Sequence, residues 1–134
     1  MERHSSNALK VAEFLKGRSE VEEVTYPGLS DYKNAHLVKK YLPRGASGVV
    51  SFTMKGGREK AMKFMDSLKL AAIVVHVADA RTGVLHPAST THRQLTDEQL
   101  EAAGINPGFI RFSVGIEDVN DIIEDLEQAF DKIK

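Results

Sequence analysis

No cysteine occurs among the 134 residues. That absence removes disulfides, thiol catalysis and thiolate metal sites together, and it is compatible with a cytoplasmic protein. No apolar run approaches the roughly 18 residues of a membrane span, and the N-terminal residues carry no apolar signal core. No internal repeat, low-complexity segment or linker interrupts the chain. An excess of either charge is missing too. Eighteen Lys and Arg against 19 Asp and Glu leave a formal net charge of −1. The two signs are mixed along the sequence, so neither nucleic acid nor an acidic partner is indicated. The length suits one compact domain with a single core.

What is present is an alternation of helical and extended patterns. Ala8, Leu9, Val11, Ala12, Phe14 and Leu15 recur at helical spacing, with Gly17 as a stop. Residues 21–26 alternate charged and apolar and predict a short strand, followed by a chain reversal at Pro27-Gly28. Asp31 is placed to cap a helix carrying Leu37, Val38 and Tyr41 and ended by Pro43. Residues 47–54 read as a strand. Gly56-Gly57 then allows a sharp turn into a helix with Ala61, Phe64, Met65 and Leu68 on one face. The apolar run 71–77 reads as a buried strand, and 82–85 as another short one. Thr96 with Gln99 three residues later predicts a capping box, and Gly104 ends that helix. Residues 109–114 form the last strand. Residues 118–133 form an amphipathic helix whose core face is Ile122, Ile123, Leu126, Ala129, Phe130 and Ile133. This order predicts an α/β domain of the α+β type, with helices on one side of a mixed sheet.

Arg111 is the chemical outlier. It sits in Phe109-Ile110-Arg111-Phe112-Ser113-Val114, downstream of a loop of small hydroxyl residues, Ala88-Ser89-Thr90-Thr91-His92. A guanidinium offers a rigid fork of donors that matches a carboxylate in two parallel hydrogen bonds. Half-buried in an apolar strand, it needs an anion. A bound carboxylate answers that need, and so does a structural salt bridge to Glu117 or Asp118. Thr91 can reach the same carboxylate or orient Arg111; its other reading is a turn hydroxyl bonded to its own backbone. Ser89 and Thr90 are weaker candidates. His76 is either a half-buried histidine with a backbone partner or a group that tunes a proton transfer. His86 and His92 lie six residues apart, and no cysteine or carboxylate cluster completes a ligand set, so no metal is expected. His86 is read as fixing the loop through backbone hydrogen bonds. Lys55-Gly56-Gly57 lacks the spacing of a phosphate loop. Arg81 is a surface charge or a subunit contact.

Several segments carry a resemblance in order: Tyr26-Pro27-Gly28-Leu29, Gly48-Val49-Val50-Ser51-Phe52, Lys55-Gly56-Gly57, Leu68-Lys69-Leu70, His86-Pro87-Ala88-Ser89, Thr91-His92 and Ile110-Arg111 through Asp118. Together they resemble the C-terminal domain of the Cys/Met-metabolism family of pyridoxal-phosphate enzymes. The resemblance covers essentially the whole chain. The family contains cystathionine γ-synthase, methionine γ-lyase and O-acetylhomoserine sulfhydrylase.

The resemblance implies the small C-terminal domain of the aspartate aminotransferase-like fold, fold type I. That is a mostly antiparallel sheet with helices on one face, its open face turned toward a cofactor domain and a neighbouring subunit. Residues 1–134 are then a single substrate-binding domain, with the N-terminal cofactor domain outside them. Consistent with this, Met1-Glu2-Arg3-His4-Ser5 already reads as the interior of a helical pattern. By resemblance Arg111 binds the substrate α-carboxylate and Thr91 belongs to the same pocket. His76 stands where many γ-synthases and γ-lyases have serine, so a serine hydroxyl is not carried over and the backbone N–H remains.

The γ-synthases and γ-lyases more often have methionine where this chain has Thr90, and sulfhydrylase-like members tolerate a basic residue such as Arg81. Both features point to the sulfhydrylase branch. The implied chemistry is γ-replacement on O-acetylhomoserine by sulfide. It implies pyridoxal 5'-phosphate as cofactor and a homo-oligomer, usually a homotetramer. The family's cofactor-lysine context and its phosphate-binding and ring-stacking residues are absent, so neither bound cofactor nor turnover is expected of these residues alone. A cystathionine γ-synthase or methionine γ-lyase domain is the alternative within the family, and a stand-alone small-ligand-binding or interaction module is the alternative from another class.

Overall fold

The computed structural model describes all of residues 1–134. Five strands, β1 Val21–Thr25, β2 Val49–Met54, β3 Ala72–Ile73, β4 Gly83–Leu85 and β5 Phe109–Ser113, form one sheet in the order β1-β2-β5-β4-β3. The pairs β1/β2, β2/β5 and β5/β4 are antiparallel, and β3 runs parallel to β4. The helices are α1 Glu2–Lys16, α2 Ala35–Tyr41, α3 Gly57–Ser67, α4 Asp97–Ala102 and α5 Val119–Asp131. This is the mostly antiparallel sheet, covered by helices on one face, that the family resemblance implies.

Strand alternation sends Val50, Phe52, Ile110 and Phe112 to one face, where each is at most 1% exposed. Three helices cover that face. α1 contributes Ala8, Val11, Ala12 and Leu15, α3 contributes Ala61, Phe64 and Met65, and α5 contributes Ile122, Leu126, Ala129 and Phe130. The Phe64 ring stands edge-on to Phe52 at 5.9 Å and lies 4.7 Å from Phe130. The α5 start is capped by Asp118, whose carboxylate accepts from Asn120 N at 2.9 Å. The capping box of α4 forms as its sequence predicts, with Gln99 N donating to Thr96 Oγ1 and Thr96 N to Gln99 Oε1. Gly56 and Gly57 adopt φ of 92° and 64°, the left-handed values that turn β2 into α3.

Three expectations are corrected. The helix expected from Asp31 begins only at Ala35. Successive turn bonds Leu29 N to Tyr26 O, Tyr32 N to Leu29 O and Ala35 N to Tyr32 O use up the intervening residues. Asp31 instead pairs with Lys16. The second strand starts at Val49 because Ser47 takes φ 88°. Its carbonyl accepts from the buried Tyr26 hydroxyl at 2.9 Å. Burial pushes that phenol up to about 12. The apolar run 71–77 is not a buried strand. Only Ala72–Ile73 pairs, at the sheet edge, and Ile73, Val75 and Val77 are 52%, 58% and 52% exposed. β4 is three residues long, so a partner alongside it finds little to pair with.

Candidate active site

The face of the sheet away from α1, α3 and α5 carries the candidate residues. Arg111 lies on β5 between Ser51 of β2 and Leu85 of β4, its register partners. It is half-buried. Its Nη2 donates to Val75 O at 2.7 Å and, more weakly, to His76 O at 3.4 Å. Its Nε is buried without a partner. No carboxylate pairs with it. Glu117 and Asp118, the two structural salt-bridge candidates, are engaged elsewhere: Glu117 with Thr82 and Asp118 with the α5 cap. A guanidinium held by neutral carbonyls alone keeps donors that match the geometry of a carboxylate.

The segment that supplies those carbonyls is stapled to β4 and to the end of β5. Val74 N donates to Val84 O. Ala78 N donates to Ser113 Oγ at 3.2 Å, with Ala78 itself at φ 59°. Glu117 accepts from Thr82 N at 2.6 Å and from Thr82 Oγ1 at 2.9 Å, and Thr82 Oγ1 accepts in turn from Gly115 N at 3.0 Å. A Cβ at residue 115 would collide with the Ala80 and Arg81 backbone, so this closure needs glycine there. His76 is exposed, and its carbonyl is the part that meets Arg111. The sequence reading of a half-buried side chain with a backbone partner is corrected: the apolar run leaves the sheet before reaching it.

Thr91 sits in the loop between the 3-10 turn Pro87–Ser89 and α4. Its side chain is exposed and its hydroxyl lies 2.9 Å from His92 Nδ1. No hydrogen bond joins Thr91 to Arg111. The loop's inner anchor is His86, fully buried, with Nε2 2.7 Å from Pro107 O and Nδ1 2.8 Å from Ser89 Oγ. A carbonyl only accepts, so Nε2 carries the proton and the Ser89 hydroxyl donates to Nδ1. This is the loop-fixing role the sequence suggests. Burial holds the His86 pKa below its ordinary value, with the bond to Pro107 opposing the shift and the Arg58 charge adding to it. Thr90 Oγ1 donates to His86 O at 2.7 Å.

Sequence reasoning missed the side chains that hold these loops. Asp125 on α5, 6% exposed, accepts from the N–H groups of Lys69, Leu70 and Ala71 at 2.7, 3.0 and 3.0 Å, anchoring the entry to β3. Arg58 on α3 grips the Thr91 loop. No local pattern announces either one; an acidic residue inside the otherwise apolar stripe of α5 is the only trace of Asp125.

The fold and site are those of an α/β domain whose open sheet face carries one guanidinium without an ionic partner. The profile of the Cys/Met metabolism PLP-dependent enzyme family matches residues 1–131, and the chain belongs to that family. It is 53% identical over 134 residues to the O-acetyl-L-homoserine sulfhydrylase of Leptospira meyeri, covering 99% of this chain and 30% of that protein. It is 45% identical over 133 residues to an L-methionine gamma-lyase of Fusobacterium nucleatum subsp. polymorphum, covering 99% of this chain and 33% of that protein. A Campylobacter jejuni crystal structure assigned as an O-acetylhomoserine (thiol)-lyase, holding a pyridoxyl-lysine monophosphate, superposes with TM-score 0.86 at 41% identity. That superposition covers 97% of this chain and 31% of the other. The sheet and its helices are therefore of the fold type I class. The chain spans about a third of the length of the curated relatives it matches.

The residues present do not by themselves form a cradle for the family's cofactor. No strand carries a lysine, and Lys55 is turned to Ser19 O at 2.7 Å. The cationic donor on the open face is Arg111, whose fork suits a planar carboxylate.

Proposed function

We propose that residues 1–134 are the C-terminal substrate-binding domain of an enzyme that converts O-acetylhomoserine and sulfide to homocysteine and acetate. The observation that carries this is Arg111: half-buried, without a carboxylate partner, its Nε unbonded. The identity to the Leptospira meyeri sulfhydrylase supports the choice of reaction. In this reading Arg111 takes the α-carboxylate of the amino-acid substrate. Thr91, whose hydroxyl has only a neighbouring histidine as partner, turns to the same carboxylate. His76 contributes backbone polar groups beside it. Fixing the carboxylate fixes the direction of the side chain that reacts, and positioning of this kind accelerates a step without Arg111 entering bond making.

Pyridoxal phosphate, when bound in the complete enzyme, supplies the electron sink for release of acetate and addition of sulfide. The reading includes a cytoplasmic homo-oligomer, a homotetramer. It also holds that the 134 residues alone bind no cofactor and turn nothing over.

Arg111→Lys in the full-length holoenzyme tests it. Lysine keeps the charge but loses the fork. The KM for O-acetylhomoserine is expected to rise by about tenfold or more while that for sulfide stays. An unchanged KM for O-acetylhomoserine sinks the proposal. The methionine γ-lyase identity favours a second reading, elimination from methionine. Turnover of methionine, with O-acetylhomoserine inert, would select it.

A further inference from the structure

The loop carrying Thr91 is gripped from outside by one side chain. Arg58, in the first turn of α3, donates from Nη1 to Ala88 O, from Nη2 to Leu95 O at 3.0 Å and from Nε to Asp97 Oδ1 at 2.8 Å. Ala88 precedes Thr91 and Leu95 follows it, so the two carbonyls bracket the loop. Asp97 opens α4 and pairs with the Arg58 charge.

Inside the bracket the ties are local. Thr90 N and His92 N donate to Pro87 O at 3.2 and 2.9 Å, and Leu95 N to His92 O at 3.0 Å. They shape the loop without fixing it to the sheet or to a helix. His86 ties only its start, to Pro107. The far side, beyond Thr91, is tied back to α3 by Arg58. A planar guanidinium meeting three acceptors from three residues holds them in one fixed arrangement, which an ammonium on a flexible stem does not reproduce.

We infer that Arg58 is a positioning residue for substrate binding. It sets where the Thr91 hydroxyl stands by bracketing the loop at Ala88 and Leu95, and it touches no substrate itself. The inference rests on the reading of Arg111 and Thr91 as the carboxylate pair. A misplacement of about 1 Å in a group that orients substrate is enough for a large loss.

The test uses Arg58→Lys, Thr91→Val and the double variant in the full-length holoenzyme, with Arg111→Lys alongside. Arg58→Lys is expected to raise the KM for O-acetylhomoserine by about tenfold with a much smaller change in kcat. Backbone amides of residues 90–93 are expected to exchange faster, with those of β2 and β5 unchanged. The double variant is expected to raise KM no further than Thr91→Val alone, because the two residues act through one contact. Additive effects, or an unchanged KM in Arg58→Lys, would overturn the inference. If Arg111→Lys raises KM and Arg58→Lys does not, the Arg58 role alone is wrong. If neither raises it, the carboxylate reading fails and takes this inference with it.

Discussion

The helix-covered face of the sheet is closed by apolar contact: Val50, Phe52, Ile110 and Phe112 are at most 1% exposed and pack against α1, α3 and α5. On the opposite face the same strands present Ser51, Phe109 and Arg111, all half-buried. The loops beside them are held by directional bonds from side chain to backbone. Arg111 holds Val75 and His76, Ser113 holds Ala78, Glu117 holds Thr82, and Arg58 holds Ala88 and Leu95. Apolar packing is strong and non-directional, so it stabilises whatever shape excludes water. A hydrogen bond to a backbone carbonyl or N–H fixes one geometry and leaves the loop open to solvent.

Phe112 is where this contrast breaks hardest. Phe112→Ala opens a cavity under the helices and is expected to cost about 3–5 kcal/mol of unfolding free energy. Phe109→Ala, on the same strand but the other face, is expected to cost about 1–2 kcal/mol. Denaturant titration of the two measures the ratio, and equal losses would mean that the faces do not differ in packing.

Asp125 sharpens the contrast because it reaches from a covering helix to the strand that leads into the open-face loop. Asp125→Ala leaves the N–H groups of Lys69, Leu70 and Ala71 without their acceptor and is expected to cost about 3 kcal/mol. Hydrogen exchange at those amides is expected to quicken, and unchanged protection would show that the bonds do not matter. Thr96→Ala removes the α4 cap. A loss of about 1 kcal/mol is expected in thermal unfolding.

His86 gives an effect confined to the acid side. Burial holds its folded pKa below 6.5, so between the two values the unfolded chain binds more protons than the folded one. Its contribution to stability is then whole above about pH 6.5 and falls as pH drops below it. Comparing the pH dependence of unfolding with that of His86→Gln isolates the effect, and identical slopes would exclude it.

Much of the covered face was legible along the chain. α1, α3 and α5 follow from a 3.6-residue apolar recurrence that needs no knowledge of what lies opposite. β5 and the α4 capping box are equally local. α2 and β3 were misread for a common reason. Asp31 has the chemistry of a cap, but the turns after Tyr26 delay the helix. Residues 71–77 have the composition of a buried strand, yet apolar composition does not say which surface buries it. The candidate site divides the same way. Arg111 and the loop around Thr91 stood out by residue type, while Arg58 and Asp125 did not.

By itself the sequence determined which helix faces enter the core, where most helices start and stop, and, through its ordered motifs, the family. Each of these is set by spacing among neighbours. The strand order, the edge position of β3, the carbonyls that meet Arg111 and the grip of Arg58 on a loop 30 residues further on were decided only by the tertiary structure. Those bonds depend on distances between segments far apart in the chain, and such distances exist only after the helices have closed one face of the sheet and left the other open.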